Sequence, residues 1–367
     1  MNKLVIGNLL HRPLRSGISV LAVAIEVIMI LSIVGIMIGF IEGSREQTNG
    51  IGADLIVRPP NQSFLTGVSG APASIKVADV LRKLPHVAVV APAIQQLSAS
   101  GTVETIWGID YPSFNALRAF VFLSGGPFQG ENDVIVDDIF ARSGKGYKVG
   151  DEISILNHNF RICGIVEHGK GGHKFLPIKT LGRLLGAENN ATLFYIKSDD
   201  PKNEPLIQQE ILSTPGLSQY EVQTLQDVLS MLTPEHLPGF NTSLQVVIGI
   251  AVIVGFIVIF QAMYTAVLER TREIGILKSL GASQFYIVNV VLRETAFLAI
   301  LGIVLGIALT FLIRAGMSVR FPALLFPVTS TWIVRATLIS LGGALLGAAY
   351  PAMKAARKDP IDALAYE

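Results

Sequence analysis

The sequence has a single cysteine, Cys163, so no internal disulfide can hold any part of it together, even in an oxidising compartment. Charge is scarce as well: 16% of residues are charged against 50% hydrophobic, and the mean hydropathy of +0.52 excludes an ordinary soluble composition. Lys and Arg number 29 against 28 Asp and Glu, a net charge of +1 that gives no reason to expect a nucleic-acid partner. The phosphate-cradling pattern Gly-x-x-x-x-Gly-Lys-Ser/Thr is missing. So is any convergent set of acid, base and nucleophile. The expectation is a membrane protein that is not an enzyme on its own, with no catalytic residue and no cofactor bound by this chain.

What the sequence does have is four apolar stretches of the length that crosses a bilayer as a helix, roughly 18 residues or more. The first runs from Gly17 to Phe40, broken only by Glu26, and the second from Leu244 to Leu268, with Gln261 as its most polar member. The third runs from Ile287 to Ile313 and carries Arg293 and Glu294 near its start; the fourth runs from Trp332 to Tyr350. The first stretch is too long for the apolar core of a secretory signal and lacks a small-x-small cleavage site, so it reads as an uncleaved anchor.

Basic residues in short flanking segments orient such a chain. Lys3, Arg12 and Arg15 precede the first span, Arg270, Arg272 and Lys278 follow the second, and Lys354, Arg357 and Lys358 follow the fourth. Four crossings put all three clusters on one side, which is then the cytoplasm. Residues 1–16, 269–286 and 351–367 are expected inside, and 41–243 and 314–331 outside, with both termini cytoplasmic. Glycines recur four apart at Gly35 and Gly39, Gly302 and Gly306, and Gly343 and Gly347, the spacing that lets helix backbones approach closely in lipid. Glu26 is costly in a span unless it pairs, for example with Gln261, faces a subunit interface or is protonated.

The outer segment is long enough for an independent domain. Asp54–Arg58 reads as a strand, Val77–Leu84 as a helix and Val87–Val90 as a strand; Thr192–Lys197, Glu204–Leu212 and Tyr220–Val222 repeat that order. A proline, Pro85 or Pro215, stops each helix before its return strand. This predicts an α+β domain of two packed βαβ halves with a β-rich insertion, whose strands are Val103–Ile109, Val134–Val136, Glu152–Leu156 and Phe160–Val166. The Ser, Gly and Pro content of Gln62–Ala73 marks a loop. Glu167, His168 and His173 have a metal-like composition, but the glycines between them suit a loop, and no further ligand is implied by spacing, so no metal is expected.

Between the second and third spans lies Glu269-Arg-Thr-Arg-Glu-Ile-Gly-Ile-Leu-Lys-Ser-Leu-Gly-Ala-Ser283. As a helix it places Ile274, Leu277 and Leu280 on one face and spaces Arg270 and Glu273 as an ion pair, with Gly281 as its stop. Such a helix can lie in the lipid surface or fill a groove on a soluble partner.

The run Arg270 to Ser283, continuing to Glu294, Gly302 and Gly306, resembles the signature of FtsX/MacB-type ABC transporter permeases, and the tail Pro351 to Glu367 is similar to that family's C-terminal motif. The resemblance implies ABC ATPase subunits on separate chains that bind ATP and Mg. It also implies a second permease subunit in a homo- or heterodimer, a periplasmic adaptor, and an inner-membrane location in the lipid bilayer. Arg270, Arg272, Glu273, Ile274, Gly275, Leu277, Lys278 and Gly281 would form the coupling segment that docks on the ATPase. The implied action is mechanotransmission, in which ATP-driven closure of the ATPase pair reshapes the outer domains. Export of a substrate from the periplasm or outer leaflet is the leading expectation. Control of a cell-wall hydrolase and lipoprotein extraction are the alternatives.

Overall fold

The computed structural model describes residues 13–60, 72–98, 104–143, 146–233, 236, 239–269, 271–320 and 325–357. The chain divides into two compact units: a helical one drawn from the segments flanking 40–237, and a mixed one within 40–237.

Among the described residues, the helical unit contains four helices long and apolar enough to cross a membrane. They are α1 (Pro13–Gly50, whose turns beyond Gly39 belong to the mixed unit), α8 (Phe240–Glu269), α10 (Gln284–Arg320) and α11 (Ser330–Arg357). All four extend past the apolar stretches that announce them, because polar residues continue a helix where lipid ends. Their shared core is Val23, Val27, Ile30 and Leu31 of α1 packed with Ala251 and Ile259 of α8, Ala299 and Ile303 of α10, and Ala344 and Ala348 of α11. Small residues on α11 let it lie close along α8.

In the mixed unit, alternation along the strands sorts side chains onto two faces. Leu55 and Val57 of β1 (Leu55–Arg58) enter one core and Ile56 the other. Val134 and Val136 of β6 (Asp133–Asp137) likewise oppose Ile135. Both faces are covered, so these strands are continuous apolar runs rather than half-polar ones. One face is covered by α2 (Val77–Leu81), α4 (Asp138–Arg142), α5 (Ile178–Leu184) and α6 (Glu204–Ser213), the other by α3 (Tyr111–Leu117) and α7 (Leu225–Met231).

The expected repeat is present, and its halves interlock. β1, α2 and β3 (Val87–Ser98) form one βαβ unit, and β11 (Leu193–Ser198), α6 and β12 (Glu221–Thr224) the other. β1 pairs antiparallel with both β11 and β12, and β11 with β3, so each unit has a strand of the other between its own two. The insertion extends the same sheet through β4 (Glu104–Ile109), β9 (Lys174–Pro177), β6, β8 (His158–Val166) and β5 (Phe122–Gly125), with β7 (Glu152–Ile155) paired on β8. β4 with β9 and β6 with β8 are the parallel pairs. A separate two-stranded ribbon joins β2 (Ala73–Ser74) to β10 (Asn190–Ala191). Most of the loop expected over Gln62–Ala73, and Val103 at the head of β4, lie outside the described residues.

Tyr111–Leu117 is not among the expected elements, yet it forms α3, capped by the Asp110 carboxylate on the Ser113 N–H with Pro112 in the first turn, a start signal that the sequence does carry. Its Phe114 meets Trp107, Phe120, Phe175 and Tyr195 at ring separations of 5.9–6.1 Å. These aromatics come from four separate segments, and only the folded sheet assembles them.

Candidate functional site

The segment between the second and third spans folds as α9 (Thr271–Ser279). It ends where the sequence places its stop: Gly281 adopts φ +94°, a conformation that costs glycine little. The Ala282 N–H donates to the Leu277 carbonyl and the Gly281 N–H to that of Lys278, both at 3.0 Å, closing the helix with a paired C-cap. One face turns into the bundle. Thr271 and Gly275 are buried, and half-buried Ile274 joins Val267, Ile287, Ala355 and Ala356. Lys278 Nζ donates to the Ala356 carbonyl at 2.9 Å and so ties α9 to the end of α11.

The opposite face is apolar and open. Ile276 is 45% exposed, Leu277 38% and Leu280 79%, and Phe285, at the start of α10, is 78% exposed. Sequence spacing groups Ile274 with Leu277 and Leu280. The tertiary structure separates them, because Ile274 serves the internal cluster while Ile276 joins the open face. Arg272 and Glu273 are exposed; Arg270, and with it the Arg270–Glu273 pairing, lies outside the described residues.

Within the bundle, two glycine pairs sit at helix crossings. A Cβ on Gly302 would stand 2.6 Å from Val23 Cβ, and one on Gly306 would stand 2.8 Å from the Ala24 carbonyl oxygen, so α10 lies against α1 at these points. Gly347 does the same for α11, with the Phe256 carbonyl oxygen of α8 at 3.0 Å, whereas Gly343 has more room. Gly35 and Gly39 have a different neighbour: the segment Leu325–Pro327 fills the space beside them. Glu26 is 3% exposed and wedged against Gly255 of α8 and near Gly343 of α11. Neither of its oxygens has a hydrogen bond of normal geometry among the described residues, nor has the Ser340 hydroxyl beside it. Gln261 is exposed and Glu294 buried.

In the mixed unit, His168 and His173 do not converge. His168 Nδ1 lies 2.9 Å from Asp138 and His173 Nδ1 2.6 Å from Asp137, while Glu167 is exposed. Each imidazole has its own carboxylate, which accounts for both without a shared ligand. Neither aspartate was signalled as a partner by the sequence.

Four apolar helices, glycine-lined crossings and an amphipathic turn between the second and third spans describe a multi-pass membrane protein. Residues 16–214 match the family described as MacB-like periplasmic core domain, and residues 246–360 match the FtsX-like permease C-terminal family. The chain belongs to the FtsX/MacB-type ABC permeases. Among its relatives, the macrolide export ATP-binding/permease protein MacB of Shewanella sp. is 28% identical over 97% of this chain and 59% of its own length. That of Bdellovibrio bacteriovorus is 27% identical over 96% and 59%. The chain thus spans about 59% of the length of these curated relatives. Among solved structures, it is similar to the periplasmic region of MacB from Actinobacillus actinomycetemcomitans, with TM-score 0.40 and 16% identity over 50% of this chain and 94% of that one. It is also similar to the extracellular domain of YknZ from Gram-positive bacteria, with TM-score 0.37 and 14% identity over 46% and 100%.

Proposed function

We propose that this chain is the transmembrane subunit of an ABC exporter that couples ATP hydrolysis, on a separate ATPase subunit holding ATP and Mg, to movement of its periplasmic domain. The driven process is export of a substrate from the periplasm or outer leaflet. The termini and α9 face the cytoplasm, as the basic clusters favour. A second permease chain completes the complex, and a periplasmic adaptor receives the cargo. The relatives named for macrolide export support the export direction, and the ATP-binding role in their name supports the ATPase.

One observation carries this reading: α9 anchors one face in the bundle and leaves Ile276, Leu277, Leu280 and Phe285 uncovered. A rigidly held helix with an open apolar face suits a groove on a soluble partner. A charge introduced into such a contact is buried without a partner, at a cost of about 3–5 kcal/mol, or roughly a hundredfold or more in affinity. Leu277→Asp should therefore abolish co-purification of the co-expressed ATPase in detergent, while the same charge at exposed Val149 of the outer domain should leave it unchanged. Lys278 is unsuitable as a control because it holds the end of α11. Retention of the ATPase by Leu277→Asp at the wild-type level would assign the open face to lipid and overturn the coupling role.

A further inference from the structure

The loop Glu167–His173, between β8 and β9, holds the outer end of α1. The Gly171 N–H donates to the Gln47 carbonyl at 2.8 Å, and the Gln47 side-chain amide meets His173 Nε2 at 3.3 Å. Gly50 approaches so closely that a Cβ there would overlap the Gly169 carbonyl. The loop is held in turn from the other side by the His168–Asp138 and His173–Asp137 pairs. The last turns of α1 are thus attached to the sheet through seven loop residues.

Lys170 locks that loop. It is 7% exposed, and its Nζ donates to the carbonyls of Phe114, at 3.0 Å, and Arg118, at the C-terminal end of α3. It stands 4.0 Å from the Phe120 ring centroid and 4.7 Å from that of Phe114. Among the described residues no carboxylate lies within ion-pair distance of it. A second lysine, Lys197 of β11, takes the Leu117 carbonyl at 2.7 Å, so like charges meet at one helix end. The surrounding cavity of about 230 Å³ is lined by Glu46 and Asn49 of α1, Arg118, and the loop residues Glu167 and His168. Burial, and after it the charges of Arg118 and Lys197, pull the Lys170 amine down from 10.5 to about 7. The carbonyls and ring faces are what remain to favour its ammonium form.

We propose that this loop is a proton-operated clip on the outer end of α1, closed with the Lys170 amine neutral and opened when Lys170 takes up a proton and leaves its box for water. The sign follows from the two environments. In the closed clip the amine gains a proton near pH 7, and in water near 10.5. Opening therefore takes up a proton between those values. Closure is strongest at high pH, weakens as pH falls toward 7, and levels off below it. Between pH 8 and pH 6 opening becomes about tenfold more favourable. The use of such a clip rests on the proposed function, in which the periplasmic domain moves during the cycle. Its existence does not, since no ATPase enters the test.

The direct readout is hydrogen exchange at the Gly171 amide, whose protecting bond is the attachment to Gln47. It would be measured on the full chain in detergent and corrected for intrinsic exchange at each pH. The opening constant should rise about tenfold from pH 8 to pH 6 in wild type and stay constant in Lys170→Met. A flat wild-type profile would overturn the proposal, as would a Lys170→Met profile like that of wild type. Pulse labelling of lysine amines in the wild-type protein, read by mass spectrometry, needs no variant. A Lys170 midpoint near 7 is expected, and an ordinary lysine midpoint overturns the clip.

Discussion

Adding one methyl group at Gly302 tests whether the α1–α10 crossing is as tight as it looks. An alanine Cβ there would stand 2.6 Å from Val23 Cβ and 2.7 Å from the Val20 carbonyl oxygen, while ordinary contact begins near 3.4 Å. The helices must therefore part by roughly 0.8 Å at the tighter contact. Both obstacles belong to backbone or to a stiff β-branched side chain, neither of which yields easily. Overpacking of this kind costs about 1–3 kcal/mol, and lost dispersion contact along the seam falls within that range. Replacing glycine in a helix by alanine returns about 1 kcal/mol. Gly302→Ala should thus lose up to about 2 kcal/mol net. Gly342→Ala, where a Cβ meets nothing within 4 Å, should gain up to about 1 kcal/mol. Denaturant titration in mixed micelles reads the difference, about 1–3 kcal/mol between the two variants. If Gly302→Ala proves as stable as Gly342→Ala, the close crossing is wrong. Adding Gly306→Ala to Gly302→Ala should cost less than it does alone, since the helices have already separated.

Phe175→Ala should destabilise the mixed unit by about 3–5 kcal/mol, because Phe175 is fully buried among Trp107, Phe114 and Phe120; a shift in chemical-denaturation midpoint checks this. Glu26→Met removes a buried carboxyl that has no hydrogen bond of normal geometry among the described residues, and should stabilise the bundle by about 1–3 kcal/mol. Destabilisation in the same micelle titration would show instead that the carboxyl is engaged. A cysteine at exposed Glu152 should react with an impermeant maleimide in cells with a permeabilised outer membrane, and one at exposed Leu277 should not; the reverse pattern inverts the topology. Native Cys163 should stay silent in that assay, since burial pushes its thiol up to about 12.

The spans were legible in the sequence because a bilayer imposes a length and a polarity that any crossing helix must meet by itself. The βαβ repeat was legible for a related reason: Pro85 and Pro215 end helices through local geometry, and alternating apolar residues mark strands without reference to a partner. The stop of α9 at Gly281 is equally local.

Partnership was decided elsewhere. Gly35 and Gly39 have the same spacing as Gly302 and Gly306, yet they accept the chain segment Leu325–Pro327, whereas Gly302 and Gly306 accept α1. Ile274 and Leu277 lie one turn apart, and the end of α11 determines that the first is covered and the second left open. The glycines of loop Glu167–His173 announced a turn, but nothing near Lys170 in sequence foretold the carbonyls of α3, about fifty residues earlier, that surround its amine. Period, breaker and charge bias are written in a few neighbouring residues, so the sequence alone determined the four spans, the βαβ repeat and the stop of α9. Which surface covers a glycine, an isoleucine or a lysine depends on atoms brought together only when distant segments pack, and that the tertiary structure alone decided.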